Sequence, residues 1–136
     1  MTDRVRLATP EDMPFFCEWY QQHGRELNVS LLPRTTFVKD WHGIPMAGLA
    51  LYLTQGAPVA YIDHAMACQN APHAAKVQAF RELVRSAVLV AETMGCQVVQ
   101  AAAPEAIANL LHSTGWTDPV PLHATAFVCS SPPLLP

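Results

Sequence analysis

The sequence predicts one mixed α/β domain of the α+β kind, a single, mostly antiparallel sheet flanked by helices. Three observations carry this. Residues 35–67 hold three apolar runs joined by short turn-forming links, the pattern of an antiparallel meander. Residues 72–94 carry a long apolar stripe at helical spacing and run straight into another apolar segment, so a helix crosses back to the sheet. The chain has 136 residues, of which 51% are apolar and 14% charged, enough for one domain with a core of its own.

Taken in order, Val5 and Leu7 alternate with polar neighbours in a short first strand. Thr9 offers a helix N-cap, Pro10 suits the first helical position, and Asp12 stands three residues after the cap, a shorter form of the capping box. Met13, Phe16, Cys17 and Tyr20 then line one helical face, and Gly24 ends it. Arg25 to Ser30 is polar and is read as a second short helix. Thr35–Lys39 is a strand, Asp40-Trp41-His42-Gly43 a turn, and Ile44–Thr54 a longer strand bent near Gly48. Gln55-Gly56-Ala57-Pro58 turns the chain into a further strand, Val59–Ala67.

The clearest helix spans Pro72 to Met94. Val77, Phe80, Val84, Ala87, Val88 and Ala91 share a face, Glu82 and Arg85 lie on a more polar side, and Gly95 closes it. Cys96–Ala101 reads as a buried strand, Pro104–Ser113 as an amphipathic helix ended by Gly115, and Ala124–Cys129 as a last strand. The order is β-α-β-β-β-α-β-α-β. Residues 1–130 form the domain, and 131–136 (SSPPLLP from Ser130) a proline-rich, extended tail.

Composition narrows the function classes. The net charge is −3 and the eight basic residues are scattered, so no basic stripe supports nucleic-acid binding. The four cysteines, Cys17, Cys68, Cys96 and Cys129, form no C-x-x-C pair and read as small packed residues in a reducing compartment. The six histidines show no H-x-x-x-H or H-x-H spacing, so no metal site is expected. The start, MTDRVRLATPED, lacks the apolar core of a signal peptide, and the longest apolar run, Ile44 to Leu53, is about half a membrane span. A cytoplasmic protein with no membrane segment is the expectation.

Three segments in this order resemble the GNAT (GCN5-related N-acetyltransferase) superfamily over nearly the whole chain. They are Val-Arg-Leu-Ala-Thr-Pro-Glu-Asp at residues 5–12, Gly-Ile-Pro-Met-Ala-Gly-Leu-Ala-Leu at 43–51, and Leu-Leu-His-Ser-Thr-Gly-Trp at 110–116. The resemblance implies an acyl-coenzyme-A N-acyltransferase fold, acetyl-CoA as acyl donor, and a small-molecule or peptide amine as acceptor. In that superfamily a Q/R-x-x-G-x-G/A turn before the long helix holds the cofactor pyrophosphate, because free N–H groups and the helix dipole attract an anion.

Here the matching stretch is Gln69-Asn-Ala-Pro-His-Ala-Ala-Lys. Gln69 and Ala74 fit the ends of the pattern, while Pro72 stands at the first glycine and has no N–H to give. The resemblance places the cofactor along Met66, Ala67, Cys68 and Gln69, and on His73, Ala74, Ala75 and Lys76. The turn reads equally as a modified cradle or as an ordinary helix start with proline in its first turn.

Acetyl transfer needs a deprotonated amine, a polarised carbonyl and a proton for the leaving thiolate. Asp63 and His64 on the fourth strand are the candidate bases, pointing to opposite faces by strand alternation, with Asp63 on the face of Tyr61. His64 titrates near neutrality and is the rival. The late-helix tyrosine that often serves the superfamily as acid corresponds to Leu111, and His112 lies about 100° round the helix. Water or Tyr61 is then the proton source. Glu18, Trp19 and Tyr20 of the first helix either line a substrate groove or are simply half-buried. Two other functions stay open: a non-catalytic binding module with a degenerate cofactor cleft, and a homodimer formed through the last strand and the tail.

Overall fold

The computed structural model describes residues 4–101, 105–113 and 115–116. The strand predicted at Ala124–Cys129, the tail at 131–136 and Cys129 lie outside the described residues. Val5–Leu7 form β1, Met13–Gln22 α1, Thr36–Trp41 β2, Ile44–Leu53 β3, Val59–Ala67 β4, His73–Thr93 α2, Val98–Ala101 β5 and Glu105–Ser113 α3. The five strands of the described residues lie side by side in chain order. All neighbours are antiparallel except β4 and β5, which are parallel and joined by α2 as the crossover.

The start of α1 follows the sequence closely. A 3-10 turn, Pro10–Asp12, precedes it. The Asp12 carboxylate accepts the Thr9 backbone N–H at 2.7 Å, the return arm of a capping box. Asp12 also receives both terminal nitrogens of Arg6, at 2.8 and 2.9 Å. Asp40 of β2 holds the same guanidinium from another side, at 3.0 and 3.1 Å. One arginine thus ties β1, the entry to α1 and β2 together.

The Arg6 hydrogen bonds hold the Asp12 carboxyl below the usual carboxylate range, against the opposing effect of its burial. That stabilisation is complete above the unfolded value, about 3.9, and is lost as pH falls through the lowered folded value. Asp12→Ala removes the cap and the pair. Because Arg6 is 38% exposed, solvent screening limits the pair's share, and a loss of about 2 kcal/mol is expected at pH 7. Urea denaturation of variant and parent checks this, and the gap between them should narrow in acid.

Two apolar clusters sandwich the sheet. The larger joins Phe37, Leu49, Leu51, Ala60 and Ile62 to Phe80, Leu83, Val84 and Ala87 of α2 and Leu111 of α3. The smaller, on the opposite face, holds Phe16, Trp19 and Tyr20 of α1 over Val38 and Met66. The buried stripe of α2 is Ala79, Phe80, Leu83, Val84, Ala87 and Ala91. Val77 and Val88 of the predicted stripe lie at its margins, half-buried.

Four expectations are corrected by the fold. Trp19 is 1% exposed and so is a core residue, closed to substrate. The second short helix is a single 3-10 turn at Val29–Leu31. Strand β2 runs on to Trp41, leaving only His42 and Gly43 to turn, both at positive φ (53° and 79°), as a tight hairpin requires. The strand predicted as buried at Cys96–Ala101 is shorter, Val98–Ala101, with Val98 and Gln100 exposed, because among the described residues only β4 borders it.

Candidate active site

Strand β4 is where the site is built, and a defect in its pairing builds it. Gly48 stands opposite Met66 and Ala50 opposite Asp63. One residue of β3, Leu49, therefore faces two of β4, His64 and Ala65. This is a β-bulge, and His64 takes the positive φ (55°) that absorbs the extra residue, a conformation histidine tolerates better than most.

The bulge overturns the expectation that Asp63 and His64 point to opposite faces. Alternation restarts after it: Ala60 and Ile62 face the larger core, and so does Ala67, three residues beyond His64. Met66 joins the α1 cluster. His64 is turned to the α1 face, where Nδ1 lies 2.6 Å from the Tyr20 hydroxyl. Its ring centroid is 5.9 Å from that of Tyr20 and 6.0 Å from that of Tyr52. Tyr52 is directly opposite Tyr61 in the β3–β4 register. Asp63 Oδ1 accepts the His64 backbone N–H at 2.7 Å, which pins the carboxylate beside the bulge. Tyr20, Tyr52, Tyr61, Asp63 and His64 thus gather around one point of β4.

The electrostatics of this cluster follow from burial. Desolvation pushes the Tyr20 hydroxyl well above the ordinary tyrosine value, and the Asp63 charge adds to this. The same two causes push Tyr52 up to about 12. Burial lowers His64 below its ordinary value; Asp63 works against this and Arg25 with it. Near neutral pH the two phenols keep their protons and the imidazole stays neutral.

Beyond the bulge β4 leads to the predicted phosphate turn. Among the described residues, pairing with β5 reaches Ile62 opposite Ala101, and β4 runs on to Ala67. Met66 and Ala67 are buried and Cys68 is half-buried, which leaves their backbone as what they can offer a ligand. The Cys68 N–H already donates to the Met46 carbonyl at 2.7 Å. That of Gln69 donates to Gln22 Oε1 at 2.8 Å.

Helix α2 opens with His73, Ala74 and Ala75. The first backbone bond of the helix is Lys76 N–H to the Pro72 carbonyl, at 3.0 Å, so the three preceding amides have no intrahelical acceptor. Pro72 is the N-cap (φ −58°, ψ 143°), one residue ahead of them; the proline costs the turn no amide of the helix proper. No acidic residue occupies the first helical turn. Lys76 Nζ reaches back to the Gln69 carbonyl at 3.1 Å and adds a positive charge. Exposed helix amides, two alanines and a lysine suit a phosphate-bearing ligand.

The sequence singled out Tyr61, Asp63 and His64, gave Tyr20 only as a groove-lining candidate without linking it to His64, and missed Tyr52. Tyr52 was detectable, since it sits symmetrically with Tyr61 about the β3–β4 turn. Tyr20 carried no such sign, because its role depends on where α1 packs. Leu111 is 6% exposed within the larger core, so that late-helix position supplies no proton. Among the described residues no three His, Cys, Asp or Glu stand together as metal ligands, and no helix is long and apolar enough to cross a membrane.

No protein-family model and no curated protein matches the sequence. Solved structures do match the fold. N-acetylglutamate synthase from Neisseria gonorrhoeae, complexed with coenzyme A and L-arginine, superimposes with a TM-score of 0.71 at 14% identity over 86% of this chain, which spans 28% of that one. Rv2747 from Mycobacterium tuberculosis, in complex with CoA, gives 0.69 at 18% identity over 90% of this chain and 78% of its own. An acetyltransferase from Trypanosoma brucei gives 0.68 at 12% identity over 89% of this chain and 96% of its own. The mixed sheet of the described residues, flanked by helices, and this overlap with the solved structures give the chain the GNAT acyl-coenzyme-A N-acyltransferase fold.

Proposed function

We propose that the protein is an acetyl-CoA-dependent N-acetyltransferase that transfers an acetyl group to an amine by direct attack. The observation that carries this reading is the alignment along β4. A carboxylate at Asp63 stands one residue past the Ile62–Ala101 pair, the strand runs on to Ala67, and the open amides of α2 begin at His73. A long phosphate-bearing thioester laid along that path has its anionic end at the helix and its acyl end at Asp63. Two of the structures similar in fold hold coenzyme A.

In this reading the backbone of Met66, Ala67, Cys68 and Gln69 lines the donor's arm. The amides of His73, Ala74 and Ala75 hold the pyrophosphate, and Lys76 adds charge. Asp63 takes a proton from the incoming ammonium. The amine nitrogen then bonds to the thioester carbon and gives up its second proton to water, the C–S bond breaks, and the coenzyme A thiolate leaves. It takes a proton from water or from Tyr61, which is 43% exposed and can exchange with solvent. The acceptor is a small-molecule or peptide amine entering past Tyr52 and Tyr61.

A second reading has one observation in its favour. Leu111 is apolar and packed where a tyrosine often stands in proteins of this fold, which suits a binding module without catalysis. A thermal-unfolding titration separates the two. Acetyl-CoA at about a hundred times its dissociation constant stabilises a native binder by about 2.7 kcal/mol. A rise in Tm followed by thiol release with a panel of amines supports the enzyme. A rise without thiol release supports the binding module, and no rise at millimolar acetyl-CoA removes both cofactor readings.

A further inference from the structure

The hydroxyl of Tyr20 and the ring of His64 form a pair that the reaction as written does not use. Tyr20 is 6% exposed, and its hydroxyl lies 2.6 Å from His64 Nδ1, short for an O–H···N bond. No other hydrogen-bond partner for that hydroxyl is found among the described residues. A buried hydroxyl whose single neighbour is a neutral imidazole nitrogen donates to it, because the alternative leaves its proton unsatisfied. The ring proton is then fixed on Nε2. His64 is half-buried, and with Nδ1 held by Tyr20 the ring nitrogen left to meet a ligand is Nε2.

The charges facing His64 agree. Tyr20 from α1 and Tyr52 from β3 stay protonated, the Asp63 carboxylate adjoins it on β4, and Arg25 bears on it from the loop after α1. The net effect keeps the ring neutral, so it holds one N–H and one acceptor. The His64 backbone sits at φ 55°, a strained position of the kind that persists where the surrounding contacts impose it; the Tyr20 bond is such a contact.

We propose that Tyr20 is a positioning residue that fixes His64 as its Nε2–H tautomer, and that this N–H is the donor that steadies the carbonyl oxygen of the acyl group as charge develops on it. The proposal rests on the acetyltransferase reading above. His64 keeps its proton throughout; the ammonium proton still goes to Asp63. The role of the base and the role of the oxygen's donor thereby fall to adjacent residues, and the bulge is what brings both to one face.

The test joins a spectrum to kinetics. In protein carrying nitrogen-15 histidine, long-range proton–nitrogen correlations should show His64 with its proton on Nε2. In Tyr20→Phe they should show a mixture of tautomers. That variant should lose about tenfold in kcat with an unchanged KM for acetyl-CoA, and His64→Asn, which tolerates the positive φ, should lose about 10²-fold. A wild-type proton on Nδ1 overturns the proposal, as does a Tyr20→Phe enzyme with the parent's kcat. If the wild type neither binds nor turns over acetyl-CoA, the acetyltransferase reading has failed and the donor role goes with it. The spectrum still reports in that case whether the hydroxyl–imidazole pair exists.

Discussion

Replacing Asp63 by Asn should lower kcat by about 10²- to 10⁴-fold, the range for loss of a general base, while leaving coenzyme A binding intact. Asn retains an oxygen for the His64 backbone N–H, bonded at 2.7 Å in the parent, so the bulge survives the change. What is lost is the one carboxylate of the cluster. Tyr52, pushed up to about 12, and the still more buried Tyr20 keep their protons through the working range and cannot replace it.

The pH profile separates Asp63 from its neighbour. Burial lowers His64, and Asp63 partly offsets this. A rate limb owned by His64 would lie below the ordinary histidine value of about 6.5 and would move lower still in Asp63→Asn, at full height. If Asp63 is the base, the variant keeps a low rate at every pH. An unchanged kcat removes Asp63 from the mechanism. His64 also contributes to folding with a defined sign. Its folded form favours the neutral ring, so stability falls as pH drops below about 6.5 and levels off below the lowered folded value.

Gly48→Ala should destabilise the fold by about 3 kcal/mol, at the upper end for overpacking. A β-carbon there would lie 2.6 Å from Phe16 Cε1 and 2.8 Å from the Phe37 carbonyl oxygen, with Phe16 Cζ equally in its way. Phe16 is fully buried and has no space to retreat, and the Phe37 oxygen belongs to the adjoining strand β2. Gly48 thus lets α1 approach the sheet closely, and that approach brings Tyr20 to His64. Urea denaturation should show a lower midpoint with an unchanged m-value. Phe16→Leu in the Gly48→Ala background should regain part of the loss, as coupled neighbours do. A loss under about 1 kcal/mol would mean the helix moves aside at little cost.

Much of the frame was legible in the residues. The Thr9–Asp12 cap, the stripe of α2, Gly95 at its end and the bounds of β4 all follow from rules that act within a few residues of chain. The apolar period, the caps and the turns are local, and the structure reproduces them at Val59–Ala67 and His73–Thr93. The turn before α2 was legible as a place, and the structure added that Pro72 precedes the first helical amides as N-cap without replacing one.

The chemistry at the centre was decided otherwise. Strict alternation along Tyr61, Ile62, Asp63 and His64 separates the last two, and nothing in Asp-His announces a residue at positive φ. The bulge belongs to the register between β3 and β4, where Leu49 faces two residues, so it exists only once both strands are paired. Tyr20 likewise becomes a neighbour of His64 across 44 residues, only because Gly48 lets Phe16 settle against the sheet. The sequence by itself determined the elements and their order, through local periodicity and backbone preference. Only the tertiary structure decided which side chains meet at β4, because that depends on pairing register and on helix-to-sheet distance, both set by contacts far apart in the chain.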